Sequence, residues 1–281
     1  MISRIGFALA IYLFTSVAAA QSVVRFDTSV GSFDMVLNPT NNSRLQGHVD
    51  NMLQYVENGN YNGSWINRAG ESAAGDDFVL QMGGQFSHTK RPPLTLASTR
   101  PVAAFAPITG APLISGLSNT FGTVSLALPG SNSNGGTSSF FVNVTDNSFL
   151  DQNFTVFAAI SDMSVVNQIM ALTDLDLTDP ARTPPFLGDE TTFGNVPVQP
   201  NGFQLFIKRA FVITDALSVA QATAGVQATM ALSVSAASGS GSSAAAVSSS
   251  SSAVPEPATA VMLIAGAAGV LGIRRRKRVS L

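Results

Sequence analysis

Apolar and polar positions alternate with a period close to two in Val23-Val24-Arg25-Phe26-Asp27-Thr28 and in Ser32-Phe33-Asp34-Met35-Val36-Leu37. Ser29-Val30-Gly31 lies between the two runs, so the pair predicts a β-hairpin. Pro39 and the asparagines after it end the second strand. The period then changes: Val49, Met52, Leu53 and Val56 recur at helical spacing, which predicts a helix over 45–58 with one buried stripe and Gly59 as its stop. Short strands are predicted again over 64–68, 78–82, 121–127, 139–144 and 155–160, and a last one within 203–214. A second helix is predicted over 163–172, with Val165, Val166, Ile169 and Leu172 toward the core. Two segments hold neither period. Residues 88–119 carry Pro92, Pro93, Pro101, Pro107 and Pro112, and 174–202 is polar and also bears proline, so both read as surface excursions. Eight short strands and two helices fit a mainly β fold, a closed eight-stranded antiparallel barrel capped by two α-helices. Closure removes the edges that an open sheet must protect. The strand order does not follow from the pattern.

The two ends belong to a different grammar. Arg4, the largely apolar run 5–17 and Ala18-Ala19-Ala20 make residues 1–20 a signal peptide. Residues 21–217 are then one domain, long enough for a single sizeable core. The stretch 218–253 is rich in Ser and Ala, and over 233–252 almost nothing else but Gly and Val occurs, so it reads as a flexible spacer. Residues 254–281 contain Pro255-Glu256-Pro257, the uncharged run 258–273 and Arg274-Arg275-Arg276-Lys277-Arg278. An apolar run ended by a basic cluster suits a helix that enters a membrane and leaves its charges on the cytoplasmic side. This end resembles the tripartite PEP-CTERM sorting signal. The resemblance implies an exosortase-type processing enzyme as partner and export from a Gram-negative bacterium to the periplasm, envelope or extracellular matrix, with membrane anchoring through this helix before processing.

Charge narrows the classes of partner. Residues 21–217 hold nine Arg or Lys and sixteen Asp or Glu, hence 9 − 16 = −7, against −2 for the whole chain. An acidic body is a poor partner for nucleic acid or another polyanion, and none is expected. Cysteine is absent, so neither disulfides nor thiol chemistry are available. His48 and His88 are the only histidines, too few for a multi-histidine metal site, and no cofactor is implied.

Candidate chemistry sits in three segments: Trp65-Ile66-Asn67-Arg68, Phe78-Val79-Leu80-Gln81-Met82-Gly83-Gly84 and Ser138-Ser139-Phe140-Phe141-Val142-Asn143. They offer a guanidinium and an amide beside an aromatic floor, a surface that grips an extended peptide without attacking it. Together with Phe149-Leu150-Asp151 they resemble the cyclophilin family of peptidyl-prolyl isomerases, over about residues 23–172 plus the last strand. The resemblance implies isomerisation of X-Pro bonds in proline-containing peptides or unfolded exported proteins. That bond is held planar by amide resonance, with a barrier of about 18–20 kcal/mol, and no bond need break to cross it. A permanent cation with a rigid fork of donors can donate toward the twisted nitrogen or steady the adjoining carbonyl, and apolar walls suit the pyrrolidine ring.

Carried over residue by residue, the resemblance makes Arg68 and Gln81 the catalytic pair. It makes Phe78, Val79, Phe141, Phe149, Leu150 and Phe154 the substrate-binding set, with Phe141 as the pocket floor and Phe154 at the rim. Flat-strand alternation sends Phe78 and Leu80 to one face and Val79 and Gln81 to the other, so a pocket shared by Phe78, Val79 and Gln81 requires a bulge near Phe78. Several positions depart from the family pattern. Phe154 and Asn67 stand where histidine is common, Ser139 where glutamine is common, and Leu128 where an asparagine often binds substrate backbone. Met82 is an extra residue before the glycines, and the link from Arg68 to Phe78 is several residues longer than usual. These departures leave open an alternative, a catalytically weak or inactive peptide-binding or matrix protein.

Overall fold

A computed structural model of the chain describes residues 21–239 apart from 73, 90, 92–98, 109–115, 131, 182–187 and 189. The expected signal peptide, the sorting motif and the part of the expected spacer beyond 239 lie outside the described residues. In chain order the elements are β1 (Val23–Thr28), β2 (Ser32–Leu37), α1 (Gln46–Glu57), β3 (Trp65–Glu71), β4 (Asp77–Met82), β5 (Gln85–Ser87), β6 (Thr99–Pro101), β7 (Thr123–Leu126) and β8 (Phe140–Asn143). There follow β9 (Val156–Ile160), α2 (Ser164–Met170), β10 (Thr173–Leu175), α3 (Glu190–Phe193), β11 (Val196–Val198), β12 (Leu205–Ile213) and α4 (Ala216–Gly239).

Eight of the strands close into an antiparallel barrel in the order β1-β12-β3-β4-β8-β7-β9-β2. Local hairpins account for β1–β2 and β3–β4, whereas the seam β1–β12 joins the two ends of the domain, with Val23 opposite Ile213 and Phe26 opposite Ala210. Inward positions interlock as rings. Phe26 stacks on Phe33 at 5.3 Å and lies 5.4 Å from Phe140, which meets Tyr61 edge-on at 5.8 Å. Both expected helices lend a buried face to this core, α1 through Val49, Met52, Tyr55 and Val56 and α2 through Val166, Ile169 and Met170. One glycine is required by geometry. Gly83 has φ +82°, and a Cβ there would come within 2.8 Å of Tyr61 Cε1 and 3.0 Å of the Ser138 carbonyl oxygen.

The spacer expectation is corrected. Residues 216–239 are helical, and Ala222 and Val226, with Val219 and Met230, cover Val23, Val36, Ala159 and Ile213 on the outside of the barrel. Those four helix positions share one face at helical spacing, and alanine, the best helix former, fills much of the rest. Small residues let the helix settle close: a Cβ on Gly225 would stand 2.6 Å from the Ser161 carbonyl oxygen. In the ring order β2 and β9 lie across the barrel from β3 and β4, so α4 packs on the side opposite those two strands. Among the described residues no helix is long and apolar enough to cross a membrane, and the apolar run 258–273 lies outside them.

Both proline-bearing excursions are pinned to the barrel. In the first, β5 pairs with β6, the Arg100 guanidinium sits 4.0 Å over the Phe86 ring, and Val102 is buried in the main core. In the second, β10 pairs with β11, and Leu175, Leu177, Phe193 and Val196 pack on Trp65 as a separate small core outside β3. The Trp65 and Phe193 rings stack at 5.8 Å.

Candidate active site

Two irregularities in the β3–β4 pairing create the site. Ile66 faces Met82 and Arg68 faces Gln81, so Asn67 is an extra residue on β3; Gly70 faces Val79 and Glu71 faces Asp77, so Phe78 is an extra residue on β4. A bulge bends its strand and re-aims side chains. Ile66, Ala69, Leu80 and Met82 stay in the barrel core, while Asn67, Arg68, Phe78, Val79 and Gln81 all line one external cavity of about 900 Å³. The bend that a flat strand could not supply thus lies at Phe78.

β8 needs no such device. Alternation buries Phe140 and Val142 in the core and turns Phe141 to the cavity, where it forms a small apolar cluster with Val79 and Leu150. Phe78, Ala127 and Phe154 extend that cluster. Phe154 meets Phe141 edge-on, with ring centroids 5.4 Å apart and planes at 84°, a right-angled aromatic corner. Phe149 is placed differently from its neighbours. It does not appear in the cavity lining, is 67 % exposed, and stacks on Phe78 at 6.0 Å. Leu150, in the tight turn Ser148–Leu150, points inward, and the residue before it points out, so Phe149 braces a lining residue from behind.

The polar wall is a relay of side chains. Arg68 Nη1 donates to Gln81 Oε1 at 3.5 Å, and Gln81 Nε2 donates to Ser139 Oγ at 3.3 Å. This orients the Gln81 amide with its oxygen toward the guanidinium. Gly70 leaves the slot across which the Arg68 side chain lies, since a Cβ there would be 2.8 Å from Nε and 3.1 Å from Cζ. Arg68 is the only ionisable side chain among the described residues of the cavity lining, and a guanidinium keeps its charge throughout the physiological range.

Behind the apolar wall a buried amide network holds the lining segments together. Asn147 Nδ2 donates to the Phe78 carbonyl and to Asn143 Oδ1, both at 2.9 Å. Asn119 Nδ2 donates to Asp151 Oδ1 at 2.9 Å and to the Phe154 carbonyl at 3.1 Å, while its oxygen accepts from Ser125 Oγ at 2.7 Å and Asn143 Nδ2 at 3.1 Å. Ser118 Oγ donates to the other Asp151 oxygen. The Phe78 bulge, β8 and the Leu150–Phe154 turn are therefore cross-braced, and a satisfied buried network of this kind rigidifies its surroundings. The sequence pattern assigns no bracing role to Asn119, Asn143 or Asn147, because contacts between segments distant in the chain leave no local signature. Thr192 was also missed. It reaches the cavity from the second excursion, where its carbonyl accepts from Asn67 Nδ2 at 3.1 Å, and the neighbouring Asn195 carbonyl accepts from Ala69 N at 2.8 Å.

The closed barrel thus carries an external cavity with one wall of rings and another of guanidinium and amide. Residues 23–185 match the family model of cyclophilin type peptidyl-prolyl cis-trans isomerase/CLD, and residues 253–278 match the PEP-CTERM protein-sorting motif. The chain is 31% identical over 175 residues to a peptidyl-prolyl cis-trans isomerase of Acinetobacter baylyi, covering 60% of this chain and 82% of that one. It is 31% identical over 158 residues to peptidyl-prolyl cis-trans isomerase A of Dickeya dadantii, covering 54% and 73%. A crystal structure of a Cryptosporidium parvum cyclophilin type peptidyl-prolyl cis-trans isomerase aligns over 69% of this chain and 99% of that one, at 14% identity and a TM-score of 0.46. The chain belongs to the cyclophilin-type peptidyl-prolyl cis-trans isomerase family, and its activity is that of a peptidyl-prolyl cis-trans isomerase.

Proposed function

We propose that the cavity seats the proline ring of an X-Pro segment on Phe141, with Val79, Leu150 and Phe154 as walls and Phe78, braced by Phe149, at the edge. Arg68 then acts on the amide and Gln81 binds the substrate backbone. The observation that carries this reading is the placement of Arg68, Gln81 and Phe141 on one cavity. Twisting the X-Pro bond ends amide resonance, so the nitrogen regains a lone pair that the planar amide delocalises. A donor aimed at that lone pair interacts with the twisted state and hardly at all with either planar state, which is the condition for catalysis. Arg68 supplies the donor, and the relay through Gln81 to Ser139 keeps its fork aimed. No covalent bond forms or breaks and no proton changes hands.

The substrates in this reading are proteins exported with the chain, as the sorting motif at 253–278 supports. The same motif makes an exosortase-type enzyme the processing partner, with the apolar run 258–273 inserted in the membrane until processing. A protease-free isomerisation assay on Xaa-Pro peptides tests the mechanism. Arg68→Ala lowers kcat/KM by about 100-fold, the scale of losing one preorganised donor to a transition state. Unchanged turnover in that variant overturns the assignment of Arg68.

A further inference from the structure

We propose that the chain's own segment Val254-Pro255-Glu256-Pro257 seats in the cavity, as an intramolecular X-Pro ligand that competes with other peptides. The proposal rests on the reading of the cavity as an X-Pro site and names an occupant for it. The first observation is chemical. After Pro200 the chain has no proline until Pro255 and Pro257, and after Asp215 its single carboxylate is Glu256, between those two. Val254, an apolar side chain, precedes the first ring. The cavity presents matching functions: an apolar pocket of Val79, Phe141 and Leu150, and Arg68 as the only ionisable side chain among the described lining residues. A carboxylate next to the ring is attracted to that guanidinium, and in a cavity the attraction is screened less than on an open surface.

The second observation is reach. α4 lies across the barrel from β3 and β4, but at Thr229 it comes close to the back of the cavity wall. A Cβ on Gly122 would stand 2.6 Å from the Thr229 methyl carbon, Gly122 N donates to the Asn143 carbonyl at 2.9 Å, and Asn143 faces Val79 in the β4–β8 pairing. With neighbouring strands about 5 Å apart, those three steps put Thr229 within about 20 Å of Val79. α4 rises about 15 Å from Thr229 to Gly239, so its end lies within about 35 Å of Val79 whatever its direction. Val254 follows 15 residues later, and an extended chain of that length spans about 50 Å. The tether therefore reaches the cavity of the same molecule with slack for a curved path. A ligand on so short a tether is held at an effective concentration on the order of 1 mM. The same residues fall within the sorting motif at 253–278, so a segment seated in the cavity is withheld from a processing enzyme.

The test is exchange NMR on the isotope-labelled full chain in detergent micelles, reading cis–trans exchange at Pro255 and Pro257, with turnover of an added Xaa-Pro peptide measured in the same sample. In the wild type at least one of the two bonds exchanges about 10-fold or more faster than the uncatalysed scale of tens of seconds, at a rate unchanged by dilution. Arg68→Ala returns it to the uncatalysed scale. Pro255→Ala combined with Pro257→Ala empties the cavity and lowers the KM of the added peptide by about 2-fold, the change expected when a ligand of millimolar affinity is removed from that effective concentration. Uncatalysed exchange at both prolines, in a wild type that turns over the added peptide, overturns the proposal and leaves the X-Pro reading in place. An equal KM in the double variant also overturns it. An exchange rate that falls in proportion on dilution assigns the contact to a second copy and overturns the tethered form. If the added peptide is not turned over, it is the X-Pro reading that fails, and the proposal fails with it.

Discussion

Acid weakens this fold through one buried imidazole. His48 lies on α1, is 3% exposed and stacks on Phe157 at 5.8 Å, and its Nε2 is buried without a partner among the described residues. Burial lowers its pKa from 6.5 to about 4, because nothing there compensates the desolvation of an imidazolium. A base whose folded pKa lies below its unfolded value binds more protons when unfolded. Its neutral form in the fold is therefore fully tolerated above the unfolded value of 6.5, and stability is lost as pH falls from there toward about 4. With these two values the loss between about pH 7.5 and pH 5 comes to about 2 kcal/mol, and the full shift to about 3 kcal/mol. His48→Leu keeps a similar volume and removes the titration. Urea unfolding of both proteins across that pH range isolates the effect, since carboxylate contributions are common to both and cancel in the difference. The variant's advantage grows by about 2 kcal/mol on acidification. Parallel stability curves for the two proteins refute the reasoning.

Two further expectations follow from the same architecture. With Arg68 the only ionisable group among the described lining residues, kcat/KM is flat between about pH 6 and 9 wherever the protein is folded, and a bell-shaped profile would point to an acid–base group in the reaction. Ending the chain at Asp215 uncovers Val23, Val36, Ala159 and Ile213 and lowers unfolding stability by about 2–4 kcal/mol relative to a chain ending at Gly239, while equal urea midpoints would make α4 a passive appendage.

Much of this protein was legible in the order of its residues. Strand-like runs bounded by turn residues, the first two alternating with period two, marked the eight barrel strands, and helical spacing at Val49, Met52 and Val56 marked α1, because burial of one face leaves a local signature. The motif around Arg68, Gln81 and Phe141 pointed to the family, since those residue types at those intervals are a chemical demand. Local pattern failed wherever the deciding contact came from far along the chain. α4 was hidden by its small residues, which show no amphipathic contrast, and only the exposed outer face of β1, β2 and β9 gave its Val226 and Ala222 something to cover. Asn119, Asn143 and Asn147 became a buried brace because three separate turns converge behind Phe141. The bulge at Asn67 arose from pairing register, which a single strand does not encode, whereas the one at Phe78 was expected only because the resemblance put Phe78, Val79 and Gln81 in one pocket. The sequence by itself determined the eight barrel strands, α1 and α2, the family and the chemistry on offer; tertiary structure decided how the strands pair, where α4 packs, and that Thr192 joins the cavity while Phe149 does not. Facing direction depends on register and on distant segments such as the one carrying Thr192, and neither is a property of any local stretch.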